Sequence, residues 1–142
     1  MVVCFRNDAV YGKQVDAAKR ARSHLKFFDA QGTEIGTGVS KACWMGRKHY
    51  LFDLLPGGSS GCVIALMAYN EKLVVPWKER KGTWPGSYVA DRILELAETP
   101  TTIEVSILDE NHQLVLAPVL VELTVEDGKI AACKIRSGGS AV

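Results

Sequence analysis

The stretch VLVELTVEDGKIAACKI, residues 119–135, places Asp127-Gly128 between two runs of alternating apolar residues. An Asp-Gly pair in this setting is a strong signal for a two-residue hairpin turn, which also fixes the strand register. The predicted cross-strand pairs are Glu126 with Lys129, Val125 with Ile130, and Leu123 with Ala132. One face would then be apolar, carrying Val121, Leu123, Val125, Ile130 and Ala132. The stretch therefore predicts an antiparallel sheet with one buried face.

Similar signals occur upstream of this hairpin. In LKFFDAQGTEIGTG, residues 25–38, Asp29 can bond its own backbone and Gly32 can adopt a left-handed conformation, which predicts a turn. A second hairpin is expected in residues 41–55, around Gly46-Arg47. Asp109 and His112 fall in a further predicted turn, after the alternating strand TTIEVSIL, residues 101–108.

The segment CVIALMAYNEKLVVPW, residues 62–77, is compatible with a buried helix or with a strand hairpin, because periodicity does not separate the two. The β-branched Val63 and Ile64 and the turn-like Asn70 to Lys72 favour the hairpin.

Two segments have helical composition. Residues 8–23 predict a weak helix with a basic outer side, capped by Asn7 or Asp8. Residues 87–98, SYVADRILELAE, predict a strong helix capped by Ser87, with apolar residues spaced three and four apart. The expected fold class is therefore α+β: mainly an antiparallel sheet, or a partly closed barrel of consecutive hairpins, with these two helices. No internal repeat is found.

Composition fits one globular domain over residues 1–142, with 137–142 as a frayed tail. Apolar residues make up 47% of the chain and charged residues 23%, which argues against a disordered or coiled-coil protein. No apolar run approaches the ~18 residues of a membrane helix, and no export signal is evident. Charge is uneven: residues 1–52 hold nine Lys/Arg and four Asp/Glu, a net +5.

The four cysteines are Cys4, Cys43, Cys62 and Cys133. They are widely spaced among apolar neighbours and form no C-x-x-C pair. Reduced, buried thiols and a cytosolic location are therefore expected, with a disulfide or a metal role as the alternative. His49 with Cys43 would supply only two metal ligands, so neither a metal nor another cofactor is predicted.

Residues 57–61, GGSSG, fit the G-x-S-x-G pattern of a hydrolase nucleophile elbow centred on Ser59. His112, with Asp91 or Asp109, could complete a triad. An elbow requires a helix directly after the serine, on a parallel sheet, and the following residues read as strand. A connecting loop is therefore the favoured interpretation. A phosphate-binding loop is disfavoured because no Lys-Ser/Thr pair follows Gly61.

The most distinctive predicted surface is the loop WKERKGTWPG, residues 77–86. Its tryptophans could stack on a base or sugar while its basic residues neutralise an anion, as in single-strand binding proteins. Both tryptophans could equally anchor the loop in the core. With the neighbouring turn, the candidate ligand-binding residues are Trp77, Lys78, Arg80, Lys81, Trp84, Arg47 and His49.

No catalytic set of residues satisfies its structural requirements in this sequence. The leading hypothesis is a small, soluble, non-enzymatic binding or interaction module that forms a homodimer. A hydrolase using Ser59 is the first alternative. Binding of nucleic acid or of another anionic ligand through residues 77–84 is the second.

Overall fold

The computed structural model describes residues 1–7, 18–36, 38–39, 42–46, 51–57, 59–76 and 93–136. Within these ranges the chain forms ten β-strands and no helix. In chain order they are β1 Val2–Asn7, β2 Ala18–Phe28, β3 Phe52–Leu54, β4 Ser59–Ile64, β5 Met67–Tyr69, β6 Lys72–Pro76, β7 Ile93–Glu95, β8 Thr102–Leu108, β9 Val119–Glu126 and β10 Lys129–Arg136.

These strands form three antiparallel sheets. The largest has five strands in the order β10-β9-β8-β2-β3; β1 pairs with β4, and β5, β6 and β7 form a third sheet. Buried side chains from the five-stranded sheet and from the β1-β4 pair join in one apolar cluster. Trp44 connects them: its main chain bridges Val63 of β4, and its indole Nε1 donates to the Ala21 carbonyl at 3.2 Å.

The predicted α+β class is wrong, because the described residues contain strands where helices were expected. The end of the predicted helix 8–23 belongs to β2, in which Ala21, Ser23, Leu25 and Phe27 alternate as buried residues. The end of the predicted helix 87–98 contains β7, which pairs with β6. Residues 8–17 and 87–92 lie outside the described part of the chain. Alternating burial and cross-strand pairing thus override the helical composition.

The Asp127-Gly128 hairpin is confirmed, with one correction to its register. Both turn residues have positive φ, 51° and 73°, as a type I′ turn requires. Glu126 pairs with Lys129 and Val125 with Ile130 as predicted. Beyond them a bulge shifts the register, so that Cys133, and not Ala132, lies opposite Leu123. A bulge adds one residue to one strand only, and the sequence pattern did not reveal it.

The other hairpin predictions have mixed outcomes. Residues 62–72 contain strand segments and no helix, and a turn at Asn70-Glu71, with φ of 45° and 63°, joins β5 to β6. In the predicted hairpin 41–55, residues 47–50 lie outside the described residues, and the end of its second strand, β3, pairs with β2 and not with residues 42–46. The first half of this hairpin bonds elsewhere, since Met45 N donates to the Cys62 carbonyl of β4 at 2.7 Å.

Two turns of identical design follow β2 and β8. Asp29 Oδ1 accepts bonds from the backbone N–H groups of Gln31 and Thr33, at 2.9 and 2.8 Å. Asp109 Oδ1 accepts the equivalent bonds from Asn111 and Gln113, at 2.8 and 3.0 Å. Both predicted turns are therefore confirmed.

The equivalence of these two turns extends into the sheet. Leu25 pairs with Val39, and the residues 80 positions later, Val105 and Val119, pair in the same way. Leu25 and Val105 also lie opposite each other in the β2-β8 pair. A local pseudo-twofold axis therefore passes between them, and the chain contains a structural repeat that sequence inspection did not detect.

The cysteine predictions are corrected as well. Cys4 and Cys62 lie opposite each other in the β1-β4 pair and form a disulfide. Cys43 is half-buried and Cys133 is exposed, so neither cysteine outside the disulfide is fully buried. The described residues include no helix of the length and hydropathy needed to cross a bilayer.

Candidate functional site

The ligand-binding residues predicted from the sequence lie outside the described residues. This holds for Trp77, Lys78, Arg80, Lys81, Trp84, Arg47 and His49. Ligand binding through the loop 77–86 and the neighbouring turn therefore stays a prediction.

The surroundings of Ser59 differ from those of a nucleophile elbow. Ser59 begins β4, where its main chain pairs with Asn7 of the antiparallel neighbour β1. The five residues after it continue the strand. Because an elbow needs a helix at this point and a parallel sheet around it, the glycine pattern does not have the required context.

Strand β10 is the long edge of the five-stranded sheet. Among the described residues its strand partner is β9, and no strand pairs with its other side. The opposite edge, β3, has three residues, whereas β10 has eight. Edge strands of soluble proteins are commonly short or covered, since free N–H and C=O groups invite pairing with another strand.

The register shows which backbone groups of β10 point outward. Leu123 N donates to the Thr101 carbonyl at 2.8 Å, so the backbone groups of Leu123 face away from β10. In an antiparallel strand these directions alternate, so Glu122 and Thr124 bond to their partners Lys134 and Ala132. Cys133 and Ile135 therefore direct their N–H and C=O groups to the free edge.

The side chains of the same two residues continue the core face of the sheet. Cys133 lies opposite Leu123 and Ile135 opposite Val121, both of which are buried. Ile135 itself is 58% exposed, the largest value among the exposed large apolar side chains of the described residues. The described part of the chain therefore leaves an apolar strip uncovered at this edge. We call Cys133 to Ile135 the β10 edge.

Basic side chains occupy the other face of β10. Arg136 Nη1 lies 3.1 Å from Glu122 Oε1, and both side chains are well exposed. Such exposed pairs contribute ~0–1 kcal/mol, so they add little to the stability of the hairpin. The Arg136–Glu122 pair does neutralise one positive charge at the edge, which leaves Lys134 as the cation next to Cys133.

The β10 edge was missed at the sequence level for a local reason. The bulge moves Ala132 off the core face and puts Cys133 on it. A signal was nevertheless present in the sequence. The last strand contains the apolar residues Ile130, Cys133 and Ile135, and a strand with solvent on both faces does not need them.

No family model, no curated protein and no solved structure matches this chain. Within the described ranges, no three His, Cys, Asp or Glu side chains come together as a metal site would require.

Proposed function

We propose that this chain is an interaction module that forms a homodimer by pairing β10 of one protomer with β10 of its partner. The observation that carries the proposal is the β10 edge, where outward backbone groups and an exposed apolar side chain occur at the same residues. Pairing would satisfy the backbone groups and cover Ile135, the two gains that drive strand addition.

Charge favours one register for this pairing. With a twofold axis at Cys133, Lys134 of one protomer lies opposite Ala132 of its partner, and Arg136 lies opposite Ile130. An axis at Lys134 would instead put two lysines directly opposite each other, which is destabilising. The two copies of Cys133 therefore meet at the axis, and the backbone groups that bond across it are those that point outward.

Light scattering over a tenfold concentration range tests the dimer. Wild type is expected to give a dimer mass, and Ile135→Lys is expected to raise the dissociation constant about tenfold or more, ~1.4 kcal/mol. Met45→Lys is the matched control, because Met45 is 48% exposed and lies outside the five-stranded sheet. A monomeric wild type, or equal effects of the two variants, would refute the proposal.

Cross-linking tests the register. Diamide, a thiol oxidant, is expected to link two protomers through Cys133 while the dimer is present. The link should persist in Cys43→Ser, which removes the other thiol outside the disulfide, and disappear in Cys133→Ser. A wild-type dimer that diamide does not link would exclude the axis at Cys133. Pairing through β10 in another register would then be tested by the light-scattering comparison of Ile135→Lys with Met45→Lys.

The cytosolic location expected from the sequence stays a prediction, with weaker support. The Cys4–Cys62 disulfide argues for an oxidising compartment, where such bonds persist.

A further inference from the structure

A polar pocket of about 150 Å³ lies between the start of β2 and the turn after β8. It is lined by Arg20, Arg22, Leu51, Asp109, Glu110 and His112. The backbone joins its two sides, because Glu110 N donates to the Lys19 carbonyl at 3.2 Å. Residues about 90 positions apart in the sequence thus form one wall.

Two of the lining residues have a left-handed backbone conformation, which is unfavourable for residues other than glycine. Arg20 has φ of 49° and His112 has φ of 63°. Asp53 Oδ1 holds the Arg20 conformation by accepting from Arg20 N at 2.6 Å, where the β2-β3 register shifts. Strained residues of this kind persist only where the surrounding structure maintains them, and they concentrate at functional sites.

The charged groups of the pocket are not paired with one another. Arg22 Nε is buried and has no hydrogen-bond partner among the described residues. None of the ion pairs found there joins Arg20 or Arg22 to Asp109 or Glu110. The inaccessible Nε does not face the open pocket, but Arg20 and Arg22 line it without an ion-pair partner among the described residues, which suits the site to a ligand that brings its own anionic group.

The carboxylates of the pocket restrict what that ligand is. One oxygen of Asp109 is occupied by its turn, and Glu110 adds a second negative charge beside the arginines. A phosphate chain would be repelled by these two carboxylates and would not have enough space in the pocket. A small molecule with an anionic and a cationic end would meet opposite charges at both ends.

We propose that this pocket binds a small zwitterion of the amino-acid type. Its carboxylate accepts hydrogen bonds from Arg22 and Arg20, and its ammonium group lies at the Glu110 side. Arg20 and His112, the two residues with left-handed backbone conformations, both line this pocket. This site is independent of the β10 edge.

NMR titration of the full chain with glycine, the smallest such zwitterion, tests the proposal. The Nε–H signal of Arg22 is expected to shift and to saturate, with acetate and methylammonium each binding at least tenfold more weakly. Arg22→Lys, which keeps the charge and removes the forked guanidinium donors, should weaken glycine binding at least tenfold. Arg136→Lys, on the exposed face of β10, should not.

Three results would overturn the proposal: no saturable shift with glycine, equal binding of acetate and glycine, or unchanged affinity in Arg22→Lys. If Arg22→Lys fails to fold, Glu110→Gln provides the second test. It should weaken glycine binding and leave the weak binding of acetate unchanged or stronger. Unchanged glycine binding in that variant would equally overturn the proposal.

Discussion

Gly32 and His112 occupy the same position in two turns of the same design. Each is the fourth residue of a turn that begins with an aspartate, and each has positive φ, 79° and 63°. Glycine adopts this conformation at no steric cost, whereas histidine does not. The second turn therefore carries a strained residue where the first has none, and that residue lines the polar pocket.

Replacing His112 by glycine is expected to stabilise the protein by about 0.5–1 kcal/mol, because relief of strain exceeds the added chain entropy. Gly32→His should cost about 1 kcal/mol. No atom lies within 4 Å of a Cβ built on Gly32, so this cost would come from the backbone alone. Urea denaturation of both variants measures the two changes. Equal signs for the two substitutions would contradict the equivalence of the turns.

Gly61 shows that the end of the glycine-rich stretch 57–61, which lies in β4, serves packing. A Cβ on Gly61 would lie 2.8 Å from Cε1 of Phe52 and 2.9 Å from Cζ3 of Trp44. Trp44 is almost fully buried and also contacts Phe5, with ring centroids 6.5 Å apart, so it has little room to move. The stretch is therefore not only a flexible connector, because Gly61 lies in a strand under two aromatic rings.

Gly61→Ala is accordingly expected to destabilise the fold by about 1–3 kcal/mol through overpacking. Ser60→Ala is the matched control, since Ser60 is the exposed neighbour in the same strand. Urea midpoints of the two variants provide the comparison. A loss in Ser60→Ala as large as that in Gly61→Ala would show that the strand, and not the aromatic contact, is sensitive.

Ser23 is a fully buried residue of β2 whose hydroxyl has no hydrogen-bond partner among the described residues. An unsatisfied buried hydroxyl costs about 1–3 kcal/mol. Ser23→Ala should therefore raise the free energy of unfolding by about 1 kcal/mol, measured in urea, because it removes the group and leaves little space behind. A loss of stability would show that the hydroxyl has an unidentified partner.

The sequence predicts the turns of this fold much better than its strands. Asp29, Asp109 and Asp127-Gly128 act through their own neighbours, so their chemistry is visible locally. The segment 18–28 is different, because its strand is determined by pairing with β8, about 80 residues away. Its alanine-rich and basic composition suits a helix equally well in isolation.

The two candidate sites were hidden for the same physical reason. Arg22 and His112 line one pocket only because β2 and β8 are antiparallel neighbours, and one sequence does not reveal that pairing. The β10 edge depends on a single-residue bulge and on the order of strands in the sheet. Long-range pairing thus decides what the local pattern leaves open.

His24, on the outer face of β2, is expected to make stability depend on pH. Its partial burial lowers the pKa of His24 below the ordinary 6.5, and Lys26 lowers it further, while Glu104 acts in the opposite direction. The unfolded chain therefore binds the proton more readily, so the contribution is complete above about pH 6.5 and is lost as the pH falls below it.

Urea midpoints between pH 7.5 and 5.5 measure this dependence. Wild type should become less stable toward pH 5.5, and His24→Gln should show a smaller decline. His112→Gln is the control, because this variant keeps His24 and should therefore keep the part of the stability loss that His24 causes. An identical slope in wild type and His24→Gln would mean that other groups cause the dependence.

The Cys4–Cys62 disulfide joins β1 to β4 and closes a loop of 58 residues in sequence separation. A bond of this span restricts the unfolded chain, so Cys4→Ser is expected to cost about 2–5 kcal/mol. Reduction by dithiothreitol should lower the thermal midpoint of wild type toward that of Cys4→Ser. It should leave the midpoint of the variant unchanged, because Cys43 and Cys133 form no disulfide and Cys62 has lost its disulfide partner in that variant. A wild-type midpoint that does not respond to dithiothreitol would show that the two thiols are reduced, and with it the argument for an oxidising compartment would fail.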